Sequence, residues 1–560
     1  MVTLLEWFGE EPICFYLIAF GVLLTFLILA VQSGGGRQER RSEILFLLIT
    51  GLTLFAFRWP IFIVPFQLGP DEAAFVANAL KVTADLAPWR NFDAGTSGPL
   101  NCYVLALPAL IGLPINFTSA RIIGLLLMLT TMLAFYYAMK WIYGRDLARL
   151  SIVPPVLFLS LTTDFSFVQY TSEHLPICLT TVALGAGAYL ASERGSTRTR
   201  LTAAILAGFC LGAAPLAKLQ AAPIASLAFV VASAALFSSG RVTGDRNRLM
   251  KAYIAALLFV PGVIALSLSF TKMWNDAWTS YIRAAFDYVA GAYIPGGPTG
   301  IDPAFFFSTS DVYPAFLEGT IVVVLLGALS FSRRKTLPRL AQWTLTASIL
   351  LLFIAFYSIY QPHRYFPHYL LFSIVPLAAC TAGALSLIRQ TSIWEKRNTI
   401  ILTCYLSLFA VPMIVVYFSS PNEFVRTIRN HAHVLRSHEG RAIERYAKPG
   451  DIMSVWGCAP RFYVETQTIM ATRDSETSRL AFPNRYRDYF RNRFLLDLAA
   501  WKPAVFVDAV GPNALTLTDR ASQGYESFPE LGAYIQERYE LKEDVAGIRI
   551  YLKRRDGPGP

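Results

Sequence analysis

Residues 44–80 read ILFLLITGLTLFAFRWPIFIVPFQLGPDEAAFVANAL. The apolar run over 44–66 is long enough to cross a hydrocarbon core of roughly 30 Å as a helix. It stops at Gly69–Pro70–Asp71–Glu72. Proline at a first helical position, with acids in the first turn, begins a new helix. One crossing therefore delivers two carboxylates to the membrane boundary. Runs of the same kind lie on both sides of this stretch, near 12–31, 119–141, 147–163, 175–192, 201–217, 220–238, 252–271, 315–332, 341–360, 367–388 and 399–419. Backbone polar groups find no partners in lipid, so spans of this length are helices. The expected fold class is an all-α polytopic membrane protein of about 12 transmembrane helices. The stretch 98–113 is short and interrupted by Pro99 and Pro108, and reads as a helix lying at the interface.

Composition agrees. Over 560 residues the chain is 54% hydrophobic and only 16% charged, too little charge to wet a soluble surface of that size. Of the 87 Asp, Glu, Lys and Arg residues, 48 fall in 1–419 and 39 in 420–560. The expected division is therefore a membrane domain, 1–419, and an ordinary water-facing domain, 420–560. Strands at 452–456, 504–510 and 547–553, with helices near 423–447, 485–500 and 528–539, make the second domain α/β.

The cations fix an expected orientation. Alternate loops hold Arg37, Arg40, Arg41; Lys140, Arg145, Arg149; Arg194, Arg198, Arg200; Arg241, Arg246, Arg248, Lys251; Arg333, Arg334, Lys335, Arg339; and Arg389, Lys396, Arg397. The intervening loops hold Lys81, Arg90, Lys218, Lys272, Arg283 and Arg364. The first set reads as cytoplasmic, with both termini outside. Residues 1–11 carry Glu6, Glu10 and Glu11 without Lys or Arg, unlike the basic start of a cleavable signal peptide. The net charge of +11 thus belongs to orientation, and no nucleic-acid partner is expected. Five of seven cysteines fall in spans; pairing of the other two, Cys102 and Cys458, stays open.

Three outer segments are long, roughly 67–118, 272–314 and the tail from 420. Acids gather at the outer boundary: Asp71, Glu72, Asp85, Asp93, Asp164 and Glu173. A carboxylate pair at the lip of an apolar body is a candidate general-base site; equally, such a pair stabilises a helix start. Successive helical residues point about 100° apart, so Asp71 and Glu72 face different directions. Lys218, His363, Arg364, His368 and Tyr369 sit at outer ends of spans, where cations either hold an anion or snorkel to headgroups. His363 and His368, five apart with no matching external His or Cys, make a poor metal site. No metal or cofactor is expected.

In order and sidedness these stretches resemble membrane glycosyltransferases of the GT-C fold, of the protein mannosyltransferase and aminoarabinose or galacturonic acid transferase group. The resemblance rests on Asp71–Glu72 after a span and on SGPLNCYVLALPAL (97–110). It rests also on GFCLGAAPLAKLQAAP (208–223), QPHRYFPHYLLFSIVP (361–376) and, in the tail, GDIMSVWGCAPRFYVETQTIMATRD (450–474). Ser97–Gly98–Pro99 stands where the family's interfacial helix carries a basic Lys-Pro-Pro-Leu start. The resemblance implies a polyprenyl-phosphate-sugar donor, a lipid, glycan or protein acceptor, and a plasma (inner) membrane location with the active site and tail outside. It implies Asp71 as base, Glu72 as helper or structural acid, and Asp164 as a second acid orienting substrate. Lys218, His363, Arg364, His368 and Tyr369 would then hold the donor phosphate, and the loop about 67–118 would be catalytic. Two other readings remain at this stage. A transporter or lipid flippase needs ionisable groups deep in the spans; an envelope-polysaccharide ligase or polymerase would rely on Arg and His.

Overall fold

The computed structural model describes residues 13–32, 37–192, 194–243, 246–290, 302–309, 311–330, 338–419 and 436–554. The acidic stretch 1–11, the loop cations Arg333, Arg334 and Lys335, and most of the helix expected near 423–447 lie outside these residues. Among the described residues, eleven helices are long and apolar enough to cross a membrane. They match eleven of the twelve expected runs, and the chain is a multi-pass membrane protein. The twelfth, expected at 147–163, is the helix Arg145–Leu161, 17 residues long and buried at every position from Leu147 to Leu161.

The chain packs as two units. The first comprises Met1–Ile63, Gly124–Val263 and Gly300–Ala432. Its core holds Arg145–Leu161 and Ile374–Ile388, the latter buried from Ile374 to Leu387. A helix apolar on all sides belongs inside a bundle. By contrast Leu258 and Phe259 of the helix Arg246–Thr271 are each 60% exposed, as lipid-facing side chains should be. Two glycines of the 208–223 motif set one helix contact. A Cβ on Gly208 would overlap the carbonyl oxygen of Tyr253, and one on Gly212 that of Leu257. This Gly-x-x-x-Gly spacing lets Thr197–Ala217 approach the backbone of Arg246–Thr271 directly.

The second unit comprises Val64–Ile123, Ile264–Thr299 and His433–Pro560. The loop after the second span thus packs with the tail rather than standing alone. The expected interfacial helix is Leu100–Ala106, continued by a 3-10 turn Leu107–Ile111 whose Leu110 and Ile111 are exposed. The tail holds a five-stranded sheet: β1 (Ile452–Trp456), β2 (Ile469–Met470), β3 (Val505–Asp508), β4 (Tyr539–Val545) and β5 (Ile548–Lys553), in spatial order β2-β1-β3-β5-β4. β1 runs parallel to β2 and β3; β5 is antiparallel to β3 and β4. β4 and β5 are joined by Ala546 and Gly547, with φ of 55° and 87°, the left-handed pair that a two-residue hairpin requires. Trp456, Phe490, Phe494 and Phe506 fill the core beside Ala284. All seven cysteines, Cys102 and Cys458 included, are free thiols.

A buried ionic network joins the three segments of this unit. Asp93 Oδ2 accepts from Arg479 Nη2 at 2.7 Å and lies 2.8 Å from Arg493 Nη2, while Ser280 Oγ also donates to it. Arg473 pairs with Asp276 at 3.1 Å and with Asp497 at 3.0 Å. Burial alone would raise Asp93, but Arg479 and Arg493 outweigh it and hold the carboxyl below its ordinary range.

Candidate functional site

In the second unit, the helix Pro70–Val82 starts at an extended Gly69, with Pro70 in its first turn followed by Asp71 and Glu72. The two carboxylates then part. Glu72 is fully buried. Its Oε1 accepts from Arg121 Nε at 2.8 Å, its Oε2 from Arg121 Nη2 at 2.7 Å and from the Leu68 amide at 3.3 Å. Arg121 also donates to the carbonyls of Val64 and Phe66, both at 2.7 Å. This two-pronged pair ties the end of one crossing to the start of the next element. Asp71 is exposed, and among the described residues no hydrogen bond or ion pair engages its carboxylate. Lys81, at the far end of the same helix, is buried over the Trp501 ring at 3.7 Å and donates to the Met470 carbonyl. Burial pulls its ammonium down to about 8.

In the first unit, a second polar group forms at the ends of crossings. Lys218 is the residue at which Thr197–Ala217 ends, its backbone turned extended. Its Nζ donates to Glu173 Oε1 and, at 2.7 Å, to Ser172 Oγ. It also lies 4.8 Å from the Tyr369 ring centre. His368 Nε2 is 3.9 Å from the same Glu173 oxygen, and its ring meets Tyr369 edge-on. The 3-10 turn Pro367–Ser373 presents these last two side chains. Glu173 is fully buried; burial would raise its carboxyl, but Lys218 and His368 pull it below its ordinary value.

Of the expected phosphate-holding residues, Lys218, His368 and Tyr369 thus come together. Arg364 is buried, whereas His363 is exposed at a left-handed φ of 50°. Asp164 is half-buried and caps the short helix Phe165–Val168, accepting from the Ser166 amide at 2.7 Å. Two acids were given no role by the sequence, although Glu173 stood among the acids of the outer boundary. Glu173 is the centre of the first unit's cluster, and its position beside His174 at a helix start was the available signal. Asp311, which accepts from Thr162 Oγ1 and from the Thr163 amide at 3.1 Å, is pushed up to about 6 by burial. Nothing local marks it.

The second unit thus carries an exposed, unengaged carboxylate at a helix start, and the first unit a buried glutamate–lysine–histidine cluster. No protein-family model matches the chain, and no curated protein matches it by sequence. Solved structures do. ArnT from Cupriavidus metallidurans in the apo state superposes with a TM-score of 0.53 at 14% identity, over 92% of this chain and 98% of that one. The same protein bound to undecaprenyl phosphate gives 0.54 at 14% identity, over 92% and 99%. The likeness runs through both the membrane body and the tail, and ArnT has the GT-C fold.

Proposed function

We propose, from the GT-C fold of this chain, that it is an inverting glycosyltransferase moving a sugar from a polyprenyl-phosphate carrier to a hydroxyl acceptor. The observation that carries the reading is the contrast within one dipeptide: Glu72 is sealed against Arg121, and Asp71 is left exposed and unengaged. The undecaprenyl phosphate bound by the superposed ArnT supports a carrier of that class.

In the proposed reaction Asp71 takes the proton of the acceptor hydroxyl. The acceptor oxygen attacks the anomeric carbon opposite the lipid phosphate. The carbon–oxygen bond to phosphate breaks, its electron pair leaves with the phosphate, and the configuration inverts. The leaving group is already a stable anion, so it needs charge stabilisation rather than a strong acid. Lys218, His368 and Arg364 fill that role, with Tyr369 packed beside the ammonium. Glu173 holds Lys218 in place. Asp164, capping its own turn, orients the substrate. The cation asymmetry of the loops supports an active face outside the plasma (inner) membrane, with a lipid, glycan or protein acceptor.

The test is compositional. A strain lacking the chain should accumulate one polyprenyl-phosphate sugar and lose that sugar from an envelope product, both read by mass spectrometry. Unchanged pools of both would refute the proposal.

A further inference from the structure

The stretch FTKMWNDAWTSYIRAAFDYV (270–289) begins in the last turn of Arg246–Thr271, one of the helices long and apolar enough to cross a membrane. Trp274, Trp278, Ile282 and Phe286 recur in it at every fourth position. In a plain α-helix such a row drifts around the axis, because one turn takes 3.6 residues. Here the short helices Trp274–Ala277 and Ala284–Val289 are joined by a π turn over Trp278–Arg283. Its i→i+5 bonding makes a wider turn, which offsets the drift and keeps the row on one side. Trp274, Trp278 and Phe286 are each more than half exposed, with Ile282 half-buried between them.

The opposite side is fixed within the second unit, where Ala277, Ser280, Tyr281 and Ala284 are buried. Ala284 joins the core of the tail, and the Tyr281 ring lies 5.9 Å from that of Trp89, centre to centre. Ser280 Oγ accepts from Arg479 Nη1 at 2.7 Å while donating to Asp93. Asp276 Oδ1 accepts from Arg473 Nη1 at 3.1 Å and from the Tyr489 hydroxyl at 2.6 Å. The segment is therefore two-sided: one face is anchored to the tail and to the loop after the second span, and the other is apolar and open.

What covers the open face follows from where it starts. Trp274 is three residues past Thr271, a reach of at most about 11 Å. Its indole turns back and donates to Ser269 Oγ at 3.2 Å, in the last turn of the crossing helix. Phe270 of that turn is exposed, as a lipid-facing side chain should be. Tryptophan concentrates at this depth, where the ring meets hydrocarbon and the N–H meets polar groups. The exposed charges of the segment, Lys272 and Arg283, are both cations, which anionic headgroups attract. The same unit carries the exposed Leu110 and Ile111 of the interfacial stretch.

We infer that the row Trp274, Trp278, Ile282 and Phe286 is a lipid-docking face, through which the second unit binds an anionic phospholipid bilayer directly at its headgroup boundary. This holds whichever residue is the catalytic base.

The experiment uses the full chain labelled with 5-fluorotryptophan in nanodiscs of phosphatidylcholine and phosphatidylglycerol. Trp274→Phe and Trp278→Phe, each conservative, assign the two fluorine resonances independently. A phosphatidylcholine bearing a nitroxide in its upper acyl chain should broaden both at least about threefold more than the least affected indole, since Trp456 is buried in the tail core. A water-soluble gadolinium chelate should broaden them less than the lipid nitroxide does. The reverse order would place the face in water. Broadening by neither agent would mean that a protein surface, such as a second copy of the chain, covers it. Either result would overturn the assignment.

Discussion

Asp71 and Glu72 are neighbours with opposite fates, and their substitutions should separate stability from chemistry. Glu72→Ala leaves Arg121 buried without its carboxylate, which costs about 3–5 kcal/mol. The detergent-solubilised protein should unfold at a markedly lower temperature. Asp71→Asn changes an exposed, unengaged group, and stability should stay within about 0.5 kcal/mol. That the two side chains point apart was legible in the sequence from helical geometry. The partner of Glu72 was not, because Arg121 lies 49 residues away inside a later crossing. At the proposed phosphate cluster, His368→Ala combined with Arg364→Ala should raise KM for the lipid donor at least tenfold, about 1.4 kcal/mol of binding. Unchanged KM in steady-state transfer assays would remove both residues from the donor site.

Whole elements obey the same logic. Gly212→Val should push the helix Thr197–Ala217 off Arg246–Thr271 and lower the unfolding temperature. Gly262→Ala, where nothing lies within 4 Å, should be tolerated. The long crossings were legible because lipid demands long apolar runs. Strands β1, β3 and β5 were legible from their apolar β-branched content. β2 is only two residues long, and β4 reads YELKEDV, a charged edge strand whose sequence hides its geometry. The Asp93 network also escaped notice, since its arginines come from the distant tail. Its pH dependence has a definite sign. Asp93 titrates below its ordinary value of 3.8 when folded, so its contribution is complete above that value and is lost as pH falls below it. Thermal stability of wild type should fall more steeply below pH 4 than that of Asp93→Asn, after allowance for the variant's lower starting point.

The whole molecule combines a multi-pass body with a five-stranded sheet in the tail, and 39 of its 87 charges lie in 420–560. What charge counting could not reveal is that the 64–123 and 264–299 segments pack with the tail; buried contacts across hundreds of residues decide that. The proposed orientation predicts that alkaline phosphatase, which matures only outside the cytoplasm, is active when fused after Lys553 and inactive after Arg389. The catalytic reading stands most directly on Asp71. In membranes supplied with the labelled lipid-phosphate sugar that accumulates in the deletion strain, Asp71→Asn should lower transfer at least about a hundredfold with an unchanged unfolding temperature. Transfer at the wild-type rate by that variant would contradict the account.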